Sequence, residues 1–148
     1  MDKNLPFSLT WEIQQDDIDH YGHVNNAAYV KQMEVLAWAH SNSLGLTLSI
    51  YKELDRAMVI RTHHINYINA CHLGDNISSR TWICACDNRL RLSRAFIFKN
   101  TDTGQTVLTA ETEYVCATFS KGRPVKMPEV FQRIYGGNVI TEDNIESV

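Results

Sequence analysis

Long apolar runs are missing from this sequence: no stretch approaches the ~20 residues that a membrane-spanning helix needs. The opening "MDKNLPFSLTW" has neither the charged nor the apolar region of a secretion signal, so the expected compartment is the cytoplasm. An excess of positive charge is missing too. Lysine and arginine number 14 against 17 acids, a formal charge of −3, which excludes a general nucleic-acid binder because no basic stripe can displace phosphate counterions. There is no internal repeat, low-complexity tract or linker. The 148 residues therefore read as one domain, residues 1–148, with the polar C-terminus from about residue 137 expected to be flexible.

Cysteine is sparse. Cys71, Cys84, Cys86 and Cys116 lack a second closely spaced pair, which argues against a four-cysteine zinc site and leaves reduced thiols as the expectation. Cys84 and Cys86, two apart in a strand-like run, are expected on one face, where they cannot easily close on each other. No G-x-S-x-G elbow is present, so a serine-triad hydrolase has no support.

What is present has a clear order. "FSLTWEIQ" alternates as a first strand, and from about Ala27 to Asn42 the pattern turns helical, with Gly45 where a C-terminal cap belongs. Apolar residues occupy nearly every side of this helix, which predicts burial almost all round. "LSIYKEL" reads as a short helix. Four strands follow: "AMVIRTHHINYI", "NISSRTWICACD", "LRLSRAFIFKN" and "TVLTAETEYVCATFS", joined by turns at "LGD", Asp87–Asn88 and "TDTGQ". "PEVFQRIYG" closes the chain as a last short helix. A strand, a long helix and four antiparallel strands make an α+β fold, with one curved sheet of about five strands wrapped around one central helix. Such a sheet has open edges, and pairing of edges between copies would satisfy them, so a homodimer or homotetramer is expected.

The densest polar chemistry, "DDIDHYGHVNNAAYV" at Asp16 to Val30, stands at the mouth of that helix. If the helix begins near Asn25 or Asn26, its first N–H groups have no internal partners and carry the positive end of the dipole. Asn25 can cap them, which is the plain structural reading. The alternative is an anion trap: a carbonyl oxygen placed there is polarised, and charge developing in acyl transfer is stabilised. Asp19, on the turn just before the helix, could then act as base or nucleophile, since a carboxylate needs no activating partner.

"D-I-D-H-Y-G-H-V-N-N-A-A-Y", Asp17 to Tyr29, resembles the D-x-D-x-x-G-x-V-x-x-x-x-Y signature of the hotdog-fold acyl-CoA thioesterases of the 4-hydroxybenzoyl-CoA thioesterase-like family. "MEVLAWAHSNSLGL" is similar to the family's helix, "INYINACHLGD" to its "Y-x-x-P-x-x-x-G-D" and "GRPVKMPE" to its "G-R-P-x-x-x-P", with Ala70 near the usual proline. The resemblance implies a hotdog fold and the hydrolysis of an acyl-CoA to free acid and coenzyme A. It matches Asp19 to the catalytic carboxylate and Gly22 to the glycine that turns the chain into the helix. It matches Asn26 to the position whose backbone N–H faces the thioester carbonyl. His23 either orients the turn or the acid or is a structural histidine, and Asp17 is assigned to the turn. Val24, Asn25 and Tyr29 are assigned to the neighbourhood of the substrate, with packing on the first helical turn as the other role of Tyr29. No metal or redox cofactor is implied, coenzyme A being part of the substrate.

Other constellations compete less well. His20 and His23 form H-x-x-H beside two acids without a regular frame to fix them as metal ligands. His63 and His64, adjacent in a strand, face opposite sides. Glu34 is helical and nominally inward. Trp38, Tyr67 and Phe96 are candidate walls of an acyl pocket. Arg89, Arg91, Arg94, Lys121 and Arg123 read as ordinary solvated charges, some of which could meet the phosphates of coenzyme A. Two alternatives to acyl-CoA hydrolysis stay open: hydrolysis of an acyl group on a carrier protein, and acyl-thioester binding without catalysis.

Overall fold

The computed structural model describes residues 5–142. Period-two patterning becomes five strands: β1 (Phe7–Glu12), β2 (Ala57–Tyr67), β3 (Asn76–Cys86), β4 (Arg91–Asn100) and β5 (Thr106–Ala117). They form one sheet in the order β1-β3-β4-β5-β2, with every neighbouring pair antiparallel. Alternation is cleanest in β4, where Leu92, Phe96 and Phe98 point inward together with Arg94. The architecture is that of a hotdog: helix α1 (Asn26–Ser43) lies along the concave face, and the short helices α2 (Leu48–Leu54) and α3 (Glu129–Gly136) close one end.

Helix α1 ends as the sequence suggests. Leu46 N–H donates to Ser41 O at 2.9 Å and Gly45 N–H to Asn42 O at 3.0 Å. These are the paired bonds of a Schellman motif, with Gly45 at φ +89° where a side chain would be strained. Tyr29, Met33 and Leu36 anchor its first half against Ile13, Ile77, Phe96, Phe98 and Leu108. Each such side chain contributes about 1.5–3 kcal/mol on burial. A second cluster, with Leu46, Tyr51, Ile83, Leu92, Met127 and Phe131, fills the end capped by α2 and α3.

Two expectations are corrected. The helix is not buried all round: Val35 is 48% exposed, and Lys31 and Glu34 are exposed as well. A single curved sheet covers one side of a helix, so apolar residues on the other sides stay uncovered in one chain. Second, Cys84 and Cys86 do not share a face. Cys84 faces outward beside Trp82 and Glu111, and a register shift between Ile83 and Ala85 keeps Ala85 on that face and brings Cys86 onto the inner cluster. All four cysteines are free. The segment just past residue 137 lies against β3. Val139 bridges Ile83 in parallel, Ile140 N–H donates to Ile83 O at 2.8 Å, and Ile140 is buried. Pairing of β1 with β3 stops at Thr81, so this segment covers the stretch of β3 edge that β1 leaves open. Residues 143–148 of the expected tail lie outside the described residues.

Among the described residues no helix is long and apolar enough to cross a membrane.

Candidate active site

The turn ahead of α1 is fixed by its own backbone and acids. Gln14 N–H donates to the Asp17 carboxylate at 2.9 Å, and Asn25 N–H donates to Asp17 O at 2.7 Å, so Asp17 ties the approach to the helix start. Ile18 and Val24 form an antiparallel bridge around a loop closed by Asp19 N–H donating to His23 O at 2.8 Å. Inside this loop Asp19 Oδ1 accepts Tyr21 N–H at 2.9 Å and His23 N–H at 3.3 Å. Gly22 sits at φ +77° with open space where a Cβ would stand, so glycine is needed there for its conformation rather than for clearance.

The helix start divides its free N–H groups. Asn25 is the N-cap, and its side-chain oxygen accepts Ala27 N–H at 2.9 Å. Ala28 N–H donates to Asn25 O at 2.9 Å. Among the described residues no acceptor takes the Asn26 N–H, and none donates to Asp19 Oδ2. Asp19 and Asn26, which carry these unengaged groups, both line one pocket of about 250 Å³, together with His23, Val24, Tyr29, Tyr67, Ile68, Asn69 and Ala70.

The structure thus brings Asp19, His23, Val24, Asn26 and Tyr29 to one pocket, and Gly22 to the loop that carries Asp19. Asn25 is absent from the lining, its oxygen being engaged in the cap. His23 acts on Asp19 through its backbone. Its ring meets His72 edge-on at a centroid distance of 5.4 Å. Val24 is buried, and its N–H donates to Cys71 O at 3.3 Å. Tyr29 packs against Trp11 and Tyr67, and burial, reinforced by the Cys71 side chain, pushes its phenol well above the ordinary range. Burial likewise pushes the Cys71 thiol up, the reverse of what a nucleophile needs.

Ile68 and Asn69 are pocket residues that motif reading did not single out. Asn69 is held in place by its side-chain amide, which donates to Thr106 O at 2.7 Å. Their signal was position alone, in the connection that follows Tyr67. Among the described residues no three His, Cys, Asp or Glu side chains gather as a metal-ligand set.

One basic residue stands apart from its expectation. Arg94 is 2% exposed and points inward, so it is not a solvated charge. Arg91, by contrast, pairs at the surface with Glu113 at 3.0 Å.

A curved five-stranded antiparallel sheet around a helix, with an acid-bearing turn at the helix start, defines a hotdog protein. The chain matches the thioesterase-like superfamily over residues 13–134 and belongs to that family. It is similar to protein THEM6 of the zebrafish Danio rerio, with 29% identity over 85 residues that make up 57% of this chain and 42% of that one. The chain thus spans less than half the length of this relative. A Staphylococcus aureus protein solved in complex with CoA has the same fold, with a TM-score of 0.84 and 22% identity, covering 97% of this chain and 87% of that one. A 1,4-dihydroxy-2-naphthoyl-CoA thioesterase from Synechocystis superposes with a TM-score of 0.79 and 17% identity, over 88% of this chain and 96% of that one.

Proposed function

We propose that this protein is an acyl-CoA thioesterase, releasing a free acid and coenzyme A from an acyl thioester. The observation that carries the reading is that Asp19, with one carboxylate oxygen unengaged, and Asn26, with its N–H unengaged, line the same pocket. A thioester carbonyl accepting the Asn26 N–H is polarised by that donor and by the helix dipole behind it. Asp19 then takes one of two routes. As a base it removes a proton from water, whose oxygen attacks the carbonyl carbon. As a nucleophile it attacks that carbon itself, forming a mixed anhydride that water opens. In both routes the tetrahedral oxyanion is held by the Asn26 N–H, the C–S bond breaks, and the thiolate leaves and is protonated. Gly22 and the His23 backbone hold the acid in position, while Val24, Tyr29 and Tyr67 wall the acyl side.

The assembly we propose is a homodimer or higher oligomer joined through the edge strand β2. Val59, Ile60, Tyr67 and Ile68 on or beside that strand are each 45–51% exposed, an apolar edge that a second copy would cover. We assign the protein to the cytoplasm, a reading supported by its four unpaired cysteines.

The test is thiol release from acyl-CoAs, aromatic and aliphatic and of graded length, beside the same acyl groups on a carrier protein. Release from the coenzyme A series is the expected result. Turnover confined to carrier-protein substrates moves the assignment to that class. Binding without any thiol release overturns catalysis and leaves an acyl-thioester-binding protein.

A further inference from the structure

Arg94 sits on β4 among inward-facing Leu92, Phe96 and Phe98 and is 2% exposed. A buried guanidinium is costly to desolvate and is ordinarily held by a carboxylate. This one is not: no ion pair among the described residues includes Arg94. Its partners are neutral. Nη1–H donates to His40 Nδ1 at 2.6 Å and Nη2–H to Ser41 Oγ at 3.2 Å, while Nε–H has no hydrogen-bond partner. The side chain borders a cavity of about 330 Å³ walled by Trp38, Tyr51, Tyr114 and Tyr135. Glu34, an acid on the same cavity wall, is exposed and makes no ion pair with the guanidinium. The charge is built in and oriented by two neutral acceptors, with no ion pair.

The cavity lies in line with the candidate active site. Along α1 the lining residues step from Asn26 and Tyr29 at the site, through Met33 and Glu34 in a narrow intermediate hollow, to Trp38 and Ser41 at the cavity. Along β2 they step the opposite way, from Tyr67 through His63 to Met58, so the same helix and strand flank all three hollows in turn. From Asn26 to Ala37 on the cavity wall the helix rises about 16 Å, close to the length of an extended chain of about a dozen carbons.

We infer that the acyl group bound here carries a carboxylate at its far end, and that Arg94 receives it. The substrate class is then the ω-carboxyacyl thioester, a dicarboxylic acid joined to coenzyme A at one end. This inference rests on the thioester reading of the Asp19 site. The apolar walls take the methylenes, and the anionic tip supplies the counter-charge that Arg94 lacks. Serine and tyrosine hydroxyls around it add neutral donors. Hydrolysis releases a free dicarboxylate and the thiol.

The experiment compares ω-carboxyacyl-CoAs with unsubstituted acyl-CoAs of equal length, around a dozen chain carbons, on the full protein in its native assembly. Arg94→Met runs beside the wild type, and the free dicarboxylic and monocarboxylic acids are tested for their effect on Tm. The expected wild-type result is kcat/KM about 10- to 100-fold higher for the carboxylated substrate, the range of a charge-assisted hydrogen bond in a dry site. In Arg94→Met the preference disappears or inverts. Equal or better turnover of unsubstituted chains by the wild type overturns the inference while leaving the thioesterase reading intact, and this arm needs no variant to fold. If no thioester is turned over, a rise in Tm with the dicarboxylate that the monocarboxylate does not give keeps the anion site and removes the thioesterase reading. No turnover and no such rise removes both.

Discussion

The Asn25 side-chain oxygen accepts the Ala27 N–H at 2.9 Å, and in doing so leaves the Asn26 N–H as the unpartnered amide of the helix start. One asparagine secures the helix while its neighbour, its backbone N–H unpaired, lines the pocket. Replacing Asn25 by alanine removes the cap and is expected to lower stability by about 1 kcal/mol, seen as a drop in Tm or in the denaturation midpoint. Asn25→Ser restores most of the loss, because serine offers the same kind of acceptor. An unchanged Asn25→Ala protein would show that the cap contributes nothing.

Gly22 separates conformation from space. At φ +77° with no atom within 4 Å of a built Cβ, an added methyl clashes with nothing and is penalised only by the backbone. Gly22→Ala is expected to destabilise by about 1–2 kcal/mol and Gly22→Asn by less, since asparagine tolerates the left-handed region. Thioester turnover should follow the same order, because the Asp19 hydrogen bonds to Tyr21 and His23 depend on this turn. Equal stability losses for alanine and asparagine would contradict the account.

His40 gives the protein an acid-sensitive arm. Burial first, and the Arg94 guanidinium second, pull its imidazole from 6.5 down to about 3. Between those values the unfolded chain binds a proton that the folded one refuses, so unfolding is favoured as pH falls. This contribution to stability is complete above pH 6.5 and is lost progressively toward pH 3. Thermal melts across that window should show His40→Gln losing less Tm on acidification than the wild type. Parallel curves for the two proteins would mean that His40 is not the group responsible.

Much of the fold was legible because its signals are local. Gly45 marks the end of α1 through a left-handed requirement, and the period-two runs gave all five strands to within a few residues. That Asp19 and Asn26 would line one pocket was legible because they are close in sequence, with one tight loop between them. What escaped was non-local. The bulge that brings Cys86 onto the face opposite Cys84 is set by pairing with β4, and the clasp of Ile140 on Ile83 by an edge that β1 leaves open. Exposure of Val35 follows from how little of a helix one sheet covers. Arg94 is the instructive case. Its parity with Leu92, Phe96 and Phe98 placed it inward on the alternation alone, yet its charge suggested solvent.

The central claim is that Asp19 performs the chemistry, and Asp19→Asn tests it most directly. Asparagine keeps an oxygen to accept the Tyr21 and His23 N–H groups, so the loop should hold and the Tm should change little. The carboxylate's capacity to attack or to take a proton is gone. With the best acyl-CoA of the panel, thiol release is expected to fall by about 100- to 10,000-fold in a protein that melts like the wild type. Thiol release at the wild-type rate from well-folded Asp19→Asn would contradict the assignment of the reaction to this acid.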